Sequence, residues 1–186
     1  MKIGLYGGSF DIIHVGHLML AEYACDAFDL DGVYFIPDGK SSYGDKKFLF
    51  NKNCRELCIR LSIKDNPKFF YSPKFINSTK ETKALDIVNH FKKFYPSDEL
   101  YFICGYDCKD RVQKWYQYQE ILEKCTMVFS ATDPIKENEF YMPPVAVRST
   151  LIKELLSNKK SIKYLVHQNI YEIILDYVKK HGRMFK

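Results

Sequence analysis

The sequence predicts an α/β fold, a doubly wound parallel sheet with helices on both faces and a C-terminal helical segment. Three observations predict it. Short apolar runs alternate with segments of helical period along the 186 residues. The links between them are mostly short, which suits parallel strands joined by crossover helices. Apolar residues make up 46% and charged residues 27% of the chain, the balance of a globular domain with its own core. One domain is therefore expected over residues 1–186, with the C-terminal helices of about 149–186 packed on it.

The elements follow in order. Lys2–Tyr6 is a short apolar strand. Gly16–Phe28 reads as a helix, because Leu18, Leu20, Ala21, Ala24 and Cys25 share one face. Val33–Ile36 is a second strand, stopped by Pro37. Asp38–Phe50 is a polar, lysine-bearing loop. Asn51–Lys64 reads as a helix, Phe69–Tyr71 as a strand and Glu81–Phe94 as a helix. Leu100–Cys104 is the third clear strand. Asp107–Lys124 looks helical, with an interruption near Trp115. Thr126–Phe129 is a strand, and Ser149–Leu156 and Asn169–Lys180 are helices. In a Rossmann-like sheet of this kind, ligands sit beyond the carboxyl ends of the strands, where the strand order reverses. Functional residues are thus expected just after strands.

Composition excludes several classes. The 28 basic and 23 acidic residues leave a net charge of +5. That mild excess suits small phosphate-rich substrates, whereas a nucleic-acid partner would call for a denser basic patch. No apolar run is long enough to span a bilayer, so no membrane partner is expected. The start, Met1–Tyr6, is broken by Gly4 too early for a signal peptide. Six cysteines form no C-x-x-C pair. Cys54/Cys58 and Cys104/Cys108 lie about one helical turn apart in apolar segments. They read as buried free thiols in a reducing, cytoplasmic setting rather than as metal ligands, and no metal bound by protein side chains is expected.

The strongest signal follows the first strand: Gly7-Gly8-Ser9-Phe10-Asp11-Ile12-Ile13-His14-Val15-Gly16-His17-Leu18. Paired glycines let the backbone approach a ligand closely. Backbone N–H groups of Gly8, Ser9 and Phe10, together with the next helix N-terminus, make an anion site. His14 and His17 bracket Gly16 at the head of that helix, so both rings can face one phosphate group. Gly16 removes a side chain where a flat base could rest. The plainer alternative is a glycine turn with two capping histidines. A zinc site of Asp11, His14 and His17, completed by water, is another. Neither G-x-x-x-x-G-K-[ST] nor G-x-G-x-x-G follows the first strand, which removes the main support for kinase-type and dinucleotide-redox chemistry.

Gly7–Leu18 resembles the signature of the H-x-G-H nucleotidyltransferase superfamily, and in particular that of the nicotinate-nucleotide adenylyltransferases. Ile12 departs from the proline common in that family. Val147-Arg148-Ser149-Thr150-Leu151-Ile152-Lys153 resembles the family's I-S-S-T-x-I-R. Ser149 and Thr150 there can cap a helix and donate to phosphate, and Lys153, one turn on, can reach the β- and γ-phosphates. Lys153 replaces the usual arginine and keeps its charge without the planar fork.

Phe102–Asp107 with Trp115–Tyr118 looks like the family's strand, G-x-D and aromatic segment. The resemblance gives Gly105 and Asp107 to the adenosine ribose, and Trp115 and Tyr116 to the pyridine ring, although Trp115 also reads as core filler. Asn77–Leu85 is similar to the family's S-Y-T-x-D-T-L and gives Thr82 to the nicotinate end. Lys46 or Lys47 would stand in for the basic residue that meets the mononucleotide phosphate, with Arg55 beside it; solvated lysines are the alternative. Ser130 stands where the family commonly has arginine.

The resemblance spans Lys2 to about Phe185. It implies AMP transfer from ATP to nicotinate mononucleotide, giving deamido-NAD and pyrophosphate in NAD biosynthesis. His14, His17 and Lys153 would be catalytic, and Mg2+ would ride on the ATP phosphates. Self-association as a homo-oligomer stays open. The competing expectations are a transferase of the same fold for nicotinamide mononucleotide or phosphopantetheine, and a nucleotide-binding regulator without catalysis.

Overall fold

A computed structural model describes residues 1–40, 48–132 and 136–182. Its sheet has six strands: β1 (Lys2–Gly8), β2 (Gly32–Pro37), β3 (Phe69–Tyr71), β4 (Glu99–Cys104), β5 (Thr126–Ala131) and β6 (Glu139–Tyr141). Their order is β3-β2-β1-β4-β5-β6, and every pairing is parallel. The order reverses between β1 and β4, so the crevice for ligands opens beyond Gly8 and Cys104.

The helices are α1 (Val15–Phe28), α2 (Lys52–Ile63), α3 (Ala84–Phe94), α4 (Tyr118–Lys124), α5 (Ser149–Ser157) and α6 (Gln168–Lys180). The period-2 rule sorts strand side chains onto two cores. Tyr6, Val33, Phe35, Ile103 and Val128 face α1, α2, α5 and α6. Ile3, Leu5, Phe102, Met127 and Phe129 face α3 and α4. The six cysteines are free thiols, five of them buried. Among the described residues, no helix is long and apolar enough to cross a membrane.

Three expectations are corrected. β6 was not anticipated; three residues carry no readable period, and only the pairing of Phe129–Ala131 with Glu139–Tyr141 defines it. Asp107–Lys124 is interrupted at Trp115, as expected, but the part before the break is not α-helical. It forms two 3₁₀ turns, Tyr106–Cys108 and Val112–Lys114, before α4, with Trp115 extended and Gln117 left-handed at φ 49°. The helix expected from Glu81 begins at Ala84, because Lys83 is extended and its N–H donates to Asp86 Oδ2 at 3.1 Å. Glu81 and Thr82 therefore precede the helix.

Candidate active site

The loop after β1 is held from below. Phe10 is left-handed (φ 42°), and its buried ring meets Tyr6 edge-on at 5.2 Å and His17 at 5.1 Å. The expected ATP contact of Phe10 is thus narrowed to its backbone. Asp11 is buried as well. Its Oδ1 accepts from the Phe50 N–H (2.9 Å) and its Oδ2 from the Leu49 N–H (3.0 Å). Lys153 Nζ also pairs with Oδ2. With both oxygens engaged, Asp11 is an anchor and not the zinc ligand weighed from sequence. No three His, Cys, Asp or Glu side chains converge for a metal among the described residues.

His14 is the N-cap of α1, and its ring stacks on that of His17, with centroids 3.7 Å apart and planes at 30°. The His14 N–H donates to His17 Nδ1 at 3.2 Å. A neutral His17 ring must then carry its proton on Nε2. Burial holds His14 down to about 4 and His17 well below the usual imidazole range, where the neighbouring His14 adds to the effect. Both rings are neutral at pH 7. A Cβ on Gly16 would stand 3.1 Å from His14 Nδ1 and 3.3 Å from the Val147 carbonyl. The space read from sequence as a seat for the base is, on this side, filled by the His14 ring and the irregular segment leading to α5.

Neutral burial of His14 has a measurable consequence. Below about pH 6.5 the unfolded chain takes up a proton at this position, while the folded chain does not until about pH 4. Stability is expected to be independent of His14 above pH 6.5 and to fall as pH drops towards 4, by up to ~3 kcal/mol from this ring. Urea midpoints between pH 7.5 and 5 check it. His14→Gln should flatten that slope, and an unchanged slope would show that the ring is not buried neutral.

α5 meets this loop directly. Ser149 Oγ donates to the Ile12 carbonyl at 3.3 Å, and Lys153 reaches Asp11. The N-cap is Arg148, whose side chain makes no cap bond, and the first turn holds no acid. The capping role expected of Ser149 and Thr150 is corrected: Ser149 ties two loops together, Thr150 is exposed, and the positive helix end is left for an anion.

Across the switch point, Gly105 ends β4 and Asp107 projects with 74% of its side chain exposed, 3.3 Å from Arg111 Nη2. Ser130, the departure from the family's arginine, accepts the Tyr106 N–H at 3.0 Å. It positions the Gly105–Asp107 turn.

A cleft of about 450 Å³ opens next to the β1 loop, bordered by Lys40, Phe48, Arg55, Ser78 and Thr79. Arg55 is fully buried. Its Nη1 donates to the Ser9 carbonyl at 2.7 Å, and the guanidinium lies 3.9 Å over the Phe48 ring. Its Nε has no hydrogen-bond partner, and burial draws down the affinity for its proton against the pull of Asp11 and Asp38. Gly39 shapes the rim: a Cβ would lie 2.3 Å from the Ser78 carbonyl, so no side chain fits. Pro37-Asp38-Gly39, where β2 ends, was the signal for this contact. Lys46 and Lys47 lie outside the described residues.

The last cluster joins the 82–83 and 115–116 segments. Trp115 is half-buried, its ring edge-on to Phe102 at 5.8 Å, so it serves the core on one side. Tyr116 is 55% exposed, and Lys83 Nζ sits 3.9 Å over its ring. Thr82 is buried, and its Oγ1 has no partner. Lys83 was not singled out from sequence, since a lysine in the first turn of the helix expected over Glu81–Phe94 reads as solvated.

The chain is similar to known proteins along nearly its whole length. Residues 5–180 match the cytidylyltransferase-like family model. The chain is 31% identical to a probable nicotinate-nucleotide adenylyltransferase of Caldicellulosiruptor bescii, over the full length of both. It is 32% identical to one from a Thermoanaerobacter species, over 95% of this chain and 93% of that one. Among solved structures, the nicotinic acid mononucleotide adenylyltransferase of Plasmodium falciparum, complexed with NaAD, superposes with a TM-score of 0.75 at 18% identity, covering 98% of this chain and 97% of that chain.

Proposed function

This chain belongs to the cytidylyltransferase-like family and, within it, to the nicotinate-nucleotide adenylyltransferases, and on that premise we propose how its residues move AMP from ATP to nicotinate mononucleotide. The observation that carries the reading is the junction at the switch point. There two stacked neutral imidazoles and the uncapped α5 N-terminus are tied together through Ser149–Ile12 and Lys153–Asp11.

ATP lies across this junction, with its ribose on Gly105 and Asp107 and its triphosphate against Gly8, Ser9, His14, His17 and the first turn of α5. The exposed Asp107 carboxylate exchanges Arg111 for ribose hydroxyls at little cost, because an exposed ion pair is worth under about 1 kcal/mol. The mononucleotide phosphate enters the cleft beside Arg55, and its pyridine ring lies on Trp115 and Tyr116 near Thr82. A phosphate oxygen attacks the α-phosphorus, the α–β bridging bond breaks, and pyrophosphate leaves. The nucleophile is already anionic near neutral pH, so no side chain need deprotonate it. His17 Nε2–H and His14 stabilise the charge growing on the phosphates, and Lys153 moves from Asp11 to the departing pyrophosphate.

A magnesium ion would be held by the phosphate oxygens of ATP, since no described side-chain cluster forms a cage for it, and it would neutralise their charge. The six free thiols suit a reducing, cytoplasmic setting.

The test is pyrophosphate release with ATP, magnesium and either nicotinate, nicotinamide mononucleotide or phosphopantetheine, the nicotinate form being supplied as its mononucleotide. Release is expected with nicotinate mononucleotide at a kcat/KM at least about 10⁴ M⁻¹s⁻¹. Binding of ATP without release would make the chain a regulator instead, and release with phosphopantetheine alone would move it to another acceptor.

A further inference from the structure

We propose that Lys83 is a specificity-determining residue: its ammonium, held over Tyr116, is the counter-ion of the nicotinate carboxylate, with Thr82 Oγ1 donating beside it. This deepens the function proposed above and rests on it.

Nicotinate and nicotinamide mononucleotides have nearly the same shape and differ by one negative charge. Stacking on Trp115 reads the ring and cannot separate them. A cation can. Lys83 Nζ lies 3.9 Å from the centre of the Tyr116 ring, and no carboxylate among the described residues pairs with it. Of the two nearest acids in sequence, Glu81 forms no ion pair with it, and Asp86 is engaged by the backbone N–H of Lys83 at 3.1 Å instead. The ammonium is therefore held in place by an aromatic face while its charge stays unspent.

The neighbouring residue gives an independent sign of a ligand. Thr82 is 8% exposed, and its Oγ1 has no hydrogen-bond partner. A buried hydroxyl in that state is unfavourable until something binds it. A carboxylate oxygen satisfies both the hydroxyl and the ammonium. An amide oxygen can satisfy the hydroxyl but brings no charge to Lys83, and its NH₂ group would face a cation.

The experiment compares kcat/KM for nicotinate and nicotinamide mononucleotides in the wild type, Lys83→Met and Lys83→Arg, and measures the dissociation constant of each mononucleotide by calorimetry. The expected result is a wild-type preference for the nicotinate form that falls about tenfold in Lys83→Met, equal to ~1.4 kcal/mol. The dissociation constants should shift in the same sense, and Lys83→Arg should restore most of the preference. Circular dichroism confirms that both variants fold, as expected for an exposed position. A Lys83→Met ratio within twofold of wild type overturns the inference and leaves the proposed function standing. A wild type that prefers nicotinamide mononucleotide overturns it outright. A wild type inactive on both overturns the proposed function, and this inference with it, before any substitution is made.

Discussion

His17→Ala is expected to lower kcat about 10²- to 10³-fold while changing ATP affinity no more than about threefold. The asymmetry comes from the state of the ring. His17 receives the His14 N–H on Nδ1, so it offers one fixed donor at Nε2. It is uncharged, because burial and the stacked His14 oppose protonation. A neutral donor attracts ground-state triphosphate only weakly. As the α-phosphorus becomes five-coordinate its oxygens gain charge, and the same hydrogen bond strengthens without any reorganisation. His17→Asn, which keeps a shorter neutral donor, should recover part of the loss. Single-turnover rates with nicotinate mononucleotide and equilibrium ATP binding separate the two quantities. Loss of ATP affinity in parallel with rate would mean that His17 acts as an ordinary binding group, and an unchanged rate would remove it from the mechanism.

The Gly7–Leu18 stretch was readable as the family's signature because that signature needs particular residues at particular spacings. Glycines, two histidines three apart and a helix start are local facts, and α1 begins at Val15, one residue from where the periodicity placed it. The parallel sheet was legible for a similar reason: β1, β2, β4 and β5 are apolar runs bounded by Gly, Pro or polar residues. The rest depended on long-range partners. Asp11 looked like a candidate ligand, and only the fold shows that Leu49, Phe50 and Lys153 take up its oxygens. Ser130 stood out only as a departure from the family's arginine, yet from the neighbouring strand it accepts the Tyr106 N–H. Phe10 looked like part of a phosphate loop, but a left-handed backbone turns its ring into the core. Lys83 carried no local signal, because its meaning lies in Tyr116, a residue reached only through the turns after β4.

Asp11→Ala is expected to cost about 3–5 kcal/mol of stability and to lower the melting temperature by roughly 10 °C. Two backbone N–H groups, of Leu49 and Phe50, lose their acceptor, and an unsatisfied buried amide costs about 1–3 kcal/mol. Lys153 loses its partner too. Its side chain is 20% exposed, so water offsets part of that loss, and the amides dominate the total. Asp11→Asn separates the terms: its carbonyl oxygen can keep one amide but not the ion pair, so it should fall between alanine and wild type. Calorimetry reads both, and a melting temperature within about 2 °C of wild type for Asp11→Ala would rule out the anchoring role.

The functional consequence reaches further than the fold. Through one carboxylate, the loop that carries His14 is joined to the wall of the cleft at Phe48–Phe50, where the proposed mechanism seats the mononucleotide phosphate, and to the α5 lysine. In the proposed mechanism Lys153 leaves Asp11 for pyrophosphate while the amides of Leu49 and Phe50 stay bound, so the cleft keeps its shape as the lysine moves. Asp11→Asn should therefore raise the KM for nicotinate mononucleotide less than Asp11→Ala does, since only alanine releases both amides.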